Sequence, residues 1–255
     1  MTTPPDKTVL ITGAARRLGA ALAHDFARRG WAVAVHARAL TSEALATVDG
    51  IRGNGGAAAL ITGDLANADD VAQLVPACVA ALGPPTCVVN NASLFEYDSI
   101  ASLEADAWDR HHAVNVRAPV LLTQALMRHL PAGSNGTVIN IIDQRVWKPT
   151  PHFLSYSASK AELWWMTRTL AQALAPRIRV NAIGPGPMLQ SVHQSDADFA
   201  AQTQATLLQR GTNPAEIARA IQFILDAPAM TGQMIALDGG QHLAWATPDI
   251  GDGRG

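Results

Sequence analysis

Seven apolar runs, each five to nine residues long, recur along the chain. They lie at residues 8–12, 31–36, 58–62, 86–91, 136–142, 178–183 and 232–240. The first six runs are apolar at nearly every position instead of at every second position. Parallel strands that are covered on both faces have this pattern, so each run predicts a buried β-strand.

Longer alanine-rich segments with helical periodicity separate the strands, at residues 18–29, 67–81, 106–130 and 155–175. This alternation predicts an α/β fold, a single-domain doubly wound parallel sheet of the Rossmann type with about seven strands. The 255 residues contain no linker and no internal repeat, so residues 1–255 are expected to form one domain. Ligands of such sheets bind beyond the carboxyl ends of the strands.

Two segments have weaker patterning than the rest of the chain. Residues 186–213 follow the sixth predicted strand without a clear period, which predicts a substrate lid at the ligand-binding edge. Residues 246–255 are rich in glycine and charged side chains, which predicts a flexible tail.

Composition and charge narrow the classes of partner. The formal net charge is −2 and there is no basic run, which argues against nucleic acid and anionic membranes. No apolar stretch approaches the ~20 residues of a membrane-spanning helix, so a soluble, cytoplasmic protein is expected. The cysteines and histidines lack the number and spacing of a disulfide framework or a metal site: Cys78, Cys87, His111, His112, His152 and His193.

The first strand is followed by a glycine turn and then a helix. Gly13 permits the tight turn, and Gly19 lets the helix pack closely on the sheet. A helix N-terminus offers free amides to a pyrophosphate, so this unit predicts a dinucleotide site. The alternative is an ordinary strand-to-helix turn without a ligand.

The end of the second strand indicates which dinucleotide binds. An NAD site usually has Asp or Glu there, whereas this sequence has His36 and Arg38 and no acid before Glu43. Arg38, together with Arg16 and Arg17, offers charge-assisted hydrogen bonds to a 2′-phosphate. The sequence therefore favours NADP(H), unless these arginines are only solvated surface charges.

Tyr156 and Lys160 lie four residues apart, on one face of a predicted helix. Together with six further segments in the same order, this pair gives the chain a close resemblance to the short-chain dehydrogenase/reductase family over nearly its whole length. The segments are 12–19, 63–65, 90–93, 115–119, 156–160, 179–186 and 237–240.

The resemblance implies roles for the matching residues. Tyr156 would be the proton donor, Lys160 would hold the ribose and lower the pKa of the tyrosine, and Asn115 would anchor a water on the proton path. The remaining cofactor contacts implied are Gly13, Leu18 and Gly19 at the phosphate turn, Asp64 and Leu65 at the adenine, Asn91, Ala92 and Ser93 beneath the ribose, and Pro185 and Gly186 behind the nicotinamide.

Three positions depart from the usual family pattern. Arg17 replaces the middle glycine of the first turn, Asp143 replaces a serine or threonine, and Ser93 replaces a glycine and is followed by Phe95. These departures resemble the pteridine reductases and the related bacterial alternative dihydrofolate and dihydromonapterin reductases. The substrate contacts implied are Arg17, Ser93, Phe95, Asp143 and Tyr156, with Trp147, Met188 and Leu189 as pocket walls or as scaffold.

A carboxylate at position 143 is chemically informative. An ionised aspartate cannot donate a hydrogen bond, and its charge opposes an oxygen that becomes negative as hydride arrives. A C=N bond in a pterin instead presents N–H groups to an acceptor and needs a proton on nitrogen. The same charge keeps Tyr156 protonated, as a proton donor requires. The alternative is that Asp143 only caps the loop after its strand.

Two other residues leave alternatives open. Phe95 is expected at the carboxyl end of the fourth strand, where a flat ring could lie between it and the nicotinamide, or it packs in the core. Arg17 is placed to reach either a pterin oxygen or a cofactor phosphate. On the helix of Tyr156, Trp164 and Trp165 point to different faces, so one is expected to meet the sheet and the other a neighbouring subunit. The resemblance implies a homotetramer.

The predicted function is an NADPH-dependent reductase of a pterin-type C=N bond, in the dihydrofolate, dihydromonapterin and dihydrobiopterin class. The first alternative is a general short-chain carbonyl or 3-oxoacyl-thioester reductase in which Asp143 is incidental. The second is a non-catalytic NADP(H)-sensing protein, against which the Tyr156, Lys160 and Asn115 set argues. No metal is expected in any of these.

Overall fold

The computed structural model describes residues 7–190 and 194–245. Its centre is one sheet of seven parallel strands in the order β3-β2-β1-β4-β5-β6-β7. The strands are β1 Thr8–Ile11, β2 Ala32–Ala37, β3 Ala58–Thr62, β4 Cys87–Asn90, β5 Gly136–Ile141, β6 Ile178–Pro185 and β7 Met234–Leu237. The predicted fold class is therefore confirmed.

The continuous apolar runs are explained by burial on both faces of the sheet. In β1, Val9 and Ile11 belong to the core on one face, and Leu10 belongs to the core on the other. All three side chains are completely buried. Because successive side chains of a strand point to opposite faces, a strand between two helical layers needs an apolar residue at every position.

The helices among the described residues are α1 Arg17–Arg28, α2 Ser42–Gly53, α3 Ala68–Leu82, α4 Ala105–His112, α5 Ala118–His129, α6 Leu154–Leu174, α7 Asp196–Gln204 and α8 Pro214–Asp226. The segment predicted as one helix at 106–130 is α4 and α5 joined by a π-helical turn, Ala113–Arg117. A turn of this kind is frequent at functional sites, and it contains Asn115.

The segment predicted to be a lid contains a short helix of its own. Ser195 and Asp198 form a capping box at the start of α7, and no residue of α7 is buried. The lid role of 186–213 stays a prediction, and the predicted tail at 246–255 lies outside the described residues. Within the part of the chain described, no helix is long and apolar enough to cross a membrane.

The strand order places the site. The chain runs outward from β1 to β3 on one side and from β4 to β7 on the other, so the topological switch point lies between β1 and β4. Ligands of open α/β sheets bind in the crevice at this point, outside the carboxyl ends of the strands. The loops after β1 and β4 therefore border the expected ligand crevice, and the loop after β5 lies next to them.

Candidate active site

The loop after β1 is built around two glycines. Gly13 has a φ of +62°, which favours glycine. A Cβ on Gly19 would lie 2.2 Å from the carbonyl oxygen of Gly13, so only glycine allows α1 to start this close to the turn. No side chain caps the N-terminus of α1, and its free amides remain available for an anionic ligand.

His36, at the end of β2, is hydrogen-bonded to this turn. It is 2% exposed, its Nδ1 accepts a hydrogen bond from the Gly13 N–H at 3.2 Å, and its Nε2 lies 3.0 Å from the Gly63 carbonyl oxygen. Because Nδ1 accepts, the ring proton is on Nε2 and donates to Gly63. Burial lowers the pKa of His36, so the ring is neutral. His36, predicted as a cofactor contact, thus positions the turn that would hold the cofactor.

The three arginines near the turn have different surroundings. Arg16 and Arg38 are exposed, as groups that meet a phosphate from solvent would be. Arg17 has a positive φ of 54°, and its guanidinium donates to the carbonyl oxygens of Leu189 at 3.1 Å and Gln190 at 2.8 Å. Arg17 therefore connects the phosphate turn to the first residues of the predicted lid.

The end of β4 is hydrogen-bonded to the same turn. The Asn91 side chain donates to the carbonyl oxygens of Thr12 at 2.8 Å and Gly13 at 3.1 Å. The Ala92 N–H donates to the Thr12 hydroxyl at 3.0 Å. A Cβ added to Gly13 would lie 3.0 Å from Ala92. These contacts hold the loops after β1 and β4 together, at the place where the resemblance predicts the ribose.

The remaining predicted cofactor contacts lie at the same edge, and two of them face the core. Leu18 and Leu65 are each 6% exposed and pack in the two cores, so only their backbones are free to meet a ligand. Asp64 accepts from the Ala66 N–H at 2.9 Å. Beyond β6, a Cβ on Gly186 would lie 2.6 Å from the Cα of Asp238, and Pro185 ends the strand.

Tyr156 and Asp143, which we call the acid pair, come from α6 and from the loop after β5. The Tyr156 hydroxyl donates to Asp143 Oδ2 at 2.8 Å, and Asp143 Oδ1 accepts from the Arg145 N–H at 2.9 Å. The Lys160 ammonium donates to the Ile141 carbonyl oxygen at 2.9 Å. Tyr156 and Lys160 are 6% and 2% exposed. Asp143 thus caps the loop and also accepts a hydrogen bond from the tyrosine, and its role toward a substrate stays a prediction.

The electrostatics favour a protonated tyrosine. Burial raises the pKa of Tyr156 most, and the charge of Asp143 and the hydrogen bond to it raise it further. The cation that opposes this shift is Arg145, whereas the resemblance assigned that effect to Lys160. Burial lowers the pKa of Lys160 to about 8, against the raising effect of Asp143. With a pKa of about 8, the lysine is mostly cationic at neutral pH.

Asn115 is completely buried, and its side chain is hydrogen-bonded to two elements of the site. Its carbonyl oxygen accepts from the Leu94 N–H at 2.8 Å and from the Ser93 hydroxyl at 3.3 Å. Its amide donates to the Leu94 carbonyl at 3.0 Å and to the Ser159 hydroxyl at 2.9 Å. These bonds use the whole side-chain amide to join the loop after β4 to α6. The water-anchoring role implied by the resemblance stays a prediction.

Phe95 lies in an aromatic cluster beside the tyrosine. It stacks on Phe153 with ring centroids 4.4 Å apart and an interplanar angle of 9°, and it meets the edge of Tyr156 at 4.7 Å. Phe95 is only partly buried. The structure therefore brings Phe95 to the acid pair, and one face of its ring is covered by Phe153.

The other predicted pocket residues are less uniform. Trp147 is 43% exposed and packs edge-on against Trp164 at 6.4 Å. Met188 packs against the core, whereas Leu189 is 36% exposed. Met188 is only partly buried, and the pocket roles of Trp147, Met188 and Leu189 stay predictions. Trp165, next to Trp164 on α6, is 64% exposed, as a residue that contacts another subunit would be in an isolated chain.

Two residues of the site were missed by sequence reasoning. Arg145 has its guanidinium carbon 5.8 Å from the centre of the Tyr156 ring. Asp98 is 3% exposed and accepts from the Ser155 N–H at 3.2 Å and from the Ser155 hydroxyl. Asp98 therefore fixes the first turn of α6, immediately before Tyr156. Its signal in the sequence is a lone acid in an otherwise uncharged stretch, 97–103.

The residues present fit a dinucleotide and give no sign of a metal. The uncapped start of α1, the crowded Gly13 and Gly19, and the exposed Arg16 and Arg38 form a cradle for a phosphorylated ligand. No group of three His, Cys, Asp or Glu side chains within 7–190 and 194–245 could hold a metal ion.

Comparison with known proteins agrees with this geometry. The crystal structure of FolM, alternative dihydrofolate reductase 1, from Brucella suis in complex with NADP is 48% identical, covers 97% of this chain and 100% of its own, and superposes with a TM-score of 0.94. An uncharacterized oxidoreductase of Methylorubrum extorquens is 34% identical over 92% of this chain and 97% of its own length.

A relative with a different named activity also aligns along the whole chain. The 3-oxoacyl-[acyl-carrier-protein] reductase of Synechocystis sp. is 31% identical over 94% of this chain and 98% of its own length. The model of the short chain dehydrogenase family matches residues 7–200. The predicted family is thereby confirmed, and the similarity to FolM supports the predicted subgroup. The chain belongs to the short-chain dehydrogenase family.

Proposed function

We propose that this protein is an NADPH-dependent reductase of a pterin-type C=N bond, acting on a dihydropteridine such as dihydrofolate, dihydromonapterin or dihydrobiopterin. The observation that carries the proposal is the 2.8 Å hydrogen bond from the Tyr156 hydroxyl to Asp143 Oδ2. It puts an acceptor at the position where a ketone reductase of this family has a hydroxyl donor. The 48% identity to an alternative dihydrofolate reductase supports the same substrate class.

The acid pair accounts for the proton in this reaction. Reduction of C=N adds hydride to carbon and a proton to nitrogen, and Tyr156 is the group that holds that proton at neutral pH because its pKa is raised. Asp143 accepts hydrogen bonds from ring N–H groups and holds the ring against Tyr156. For a ketone, the same carboxylate would repel the developing alkoxide.

NADPH, when bound, supplies the hydride. The start of α1 with Gly13 and Gly19 would receive the pyrophosphate, and Arg38 and Arg16 would pair with the 2′-phosphate. Lys160 would donate to the ribose with the protons that its bond to the Ile141 carbonyl oxygen leaves free. The FolM structure of Brucella suis is in complex with NADP, which supports this cofactor.

A second candidate function is reduction of a ketone or a 3-oxoacyl thioester. The relative from Synechocystis sp. favours it, since its similarity spans 94% of the chain. In that case Asp143 would act only as the cap of the loop after β5, through its bond from the Arg145 N–H.

Replacing Asp143 by serine separates the two candidates. The native protein and D143S are assayed with NADPH and with NADH, against a panel of dihydropterins, dihydrofolate, simple ketones and a 3-oxoacyl thioester. The proposal expects the native protein to prefer NADPH and a dihydropterin or dihydrofolate, and D143S to lose most of that turnover. Ketone turnover above dihydropterin turnover in the native protein would overturn it.

Assembly and location follow as further expectations. Trp165 is 64% exposed on α6. Residues of α5 and α6 also border a groove whose lining combines apolar residues such as Val120 and Met166 with charged ones such as Arg117 and Glu162. We expect α5 and α6 to contribute to a four-helix contact within a cytoplasmic homotetramer. Light scattering of the native protein and of W165E tests this. If the contact forms there, the assembly of the variant should have a lower molar mass than that of the native protein.

A further inference from the structure

Among the residues that the structure describes, none accepts a hydrogen bond from the guanidinium of Arg145. Its carbon lies 5.0 Å from the centre of the Phe153 ring, 5.5 Å from Phe95 and 5.8 Å from Tyr156. Throughout 7–190 and 194–245, no side chain or carbonyl accepts a hydrogen bond from it, and it forms no ion pair. The aromatic rings hold the group in place, and its N–H donors remain unused.

These rings continue as a row toward the surface. Tyr156 is 6% exposed and touches Phe95, Phe95 stacks on Phe153, and Phe153 meets the edge of Tyr97 at 5.1 Å. Tyr97 is 58% exposed and stacks with His152. We call Tyr156, Phe95, Phe153 and Tyr97 the aromatic row. It leads from the proton donor to solvent, and Arg145 lies beside three of its four members.

Arg145 is also fixed relative to the proton-transfer group. Its backbone N–H donates to Asp143 Oδ1 at 2.9 Å, so the carboxylate and the guanidinium come from the same short turn, Gln144–Val146 and its cap. Asp143 accepts hydrogen bonds and Arg145 donates them. A ligand that satisfies both has N–H groups at its reacting end and an anionic or carbonyl acceptor further along.

We propose that Arg145 binds a carboxylate of the substrate and that the aromatic row receives an aryl group between the carboxylate and the reduced ring. This inference rests on the proposed function and narrows it to folate-type substrates, which carry an aminobenzoyl group and glutamate carboxylates. Pterins with an uncharged hydroxyalkyl side chain would not use Arg145. A planar guanidinium is suited to a carboxylate because two of its N–H groups can bind both oxygens.

The test compares two substrates in the native protein and in R145M. For dihydrofolate we expect KM to rise about 10- to 100-fold in R145M, because a hydrogen-bonded charge pair is lost, with a smaller change in kcat. For dihydromonapterin, which has no carboxylate, KM should stay within about twofold. R128M is the matched control, since Arg128 is exposed on α5 and has no hydrogen bond, and it should change neither substrate.

A binding measurement makes the test independent of turnover. The fragment p-aminobenzoylglutamate contains the aryl group and the carboxylates but no reducible ring. It should quench tryptophan fluorescence of the native protein and compete with dihydrofolate, and R145M should lose both effects. R145K should recover part of the binding, since it keeps the charge without the planar pair of donors.

Two results would overturn the inference. The first is a KM for dihydrofolate that R145M raises no more than the KM for dihydromonapterin. A change in kcat and in the pH profile that both substrates share is expected in any case, because Arg145 lowers the pKa of Tyr156. The second is fragment binding that R145M leaves unchanged. Failure of the proposed function looks different, because the native protein would then reduce neither dihydrofolate nor dihydromonapterin, whatever the fragment does.

Discussion

The replacement of Asp143 by asparagine removes the charge of this side chain and one of its two acceptor oxygens, and it keeps the size and shape of the side chain. Asparagine keeps an oxygen that can accept from the Arg145 N–H, so the turn after β5 remains capped. It replaces the oxygen that accepts from the Tyr156 hydroxyl at 2.8 Å by an amide nitrogen, which cannot accept. D143N therefore tests the negative charge without removing the local structure.

The size of the effect follows from this one contact. A hydrogen bond to a charged group contributes about 1.5–3 kcal/mol, and about 1.36 kcal/mol corresponds to a factor of ten. We expect kcat/KM for dihydropterin or dihydrofolate to fall about 10- to 150-fold in D143N. Ketone turnover should fall less or rise, because the repulsion of a developing alkoxide is relieved.

The pH dependence gives a second readout. Burial is the main cause of the raised pKa of Tyr156, and Asp143 adds to it by its charge and by its hydrogen bond. Without the charge, the tyrosine pKa is lower, and the proton donor is lost at a lower pH. The alkaline limb of kcat/KM, measured from NADPH absorbance, should thus move to lower pH in D143N.

The control is D106N, because Asp106 is exposed in the first turn of α4 and has no contact with the site. It should leave the rate and the pH profile as in the native protein. If D143N retained native turnover of dihydropterin with an unmoved alkaline limb, the role assigned to the carboxylate would be wrong.

Three further predictions concern the support of the site. D98A should lower the free energy of unfolding by about 3 kcal/mol in urea titrations, since it removes a buried acceptor at the start of α6; a loss below about 1 kcal/mol would contradict this capping role. G19A should weaken NADP binding at least tenfold by calorimetry, because its methyl group would lie 2.2 Å from a turn carbonyl oxygen, whereas G53A has open space and should bind normally. The pKa of His36 is lowered in the fold, so unfolding becomes easier as pH falls below the unfolded value of about 6.5. This pH slope should flatten in H36Q and persist in H129Q, whose histidine is exposed.

Much of the fold follows from local pattern. Burial on both faces requires continuous apolar runs, and each strand of the structure overlaps one of the seven predicted runs. The bounds differ slightly: the sixth run was predicted at 178–183, and β6 ends at Pro185. Three helices, α2, α7 and α8, were not predicted from periodicity. Two of them, α7 and α8, begin with a capping box that is readable in the sequence, Ser195 with Asp198 and Asn213 with Glu216. The π-helical turn at Ala113–Arg117 has no comparable signal.

The candidate site was less accessible to sequence reasoning. Tyr156 and Lys160 were found because their spacing matches a family motif. Asp143 was found because it replaces the serine or threonine that the family usually has at this position. Arg145 was missed because its role depends on three aromatic rings that come from separate loops and a helix. Asp98 was missed for the same reason, since its partner Ser155 is distant in the chain. Contacts of this kind are set by tertiary packing, which has no period in the sequence.

The strand order divides the crevice into two halves that meet at one boundary. The turn at Gly13 follows β1, Asp143 lies in the loop after β5, and Tyr156 lies on α6. Strand β4 lies between β1 and β5. Asn91, just after β4, donates to carbonyl oxygens of the first half, and the Ala92 N–H donates to the Thr12 hydroxyl. These bonds join the phosphate turn to β4, the strand next to β5. We consequently expect substitutions in the loop after β5 and in α6 to alter the choice of substrate, and to leave the preference for a nucleotide, which we assign to the residues after β1 and β2, unaltered.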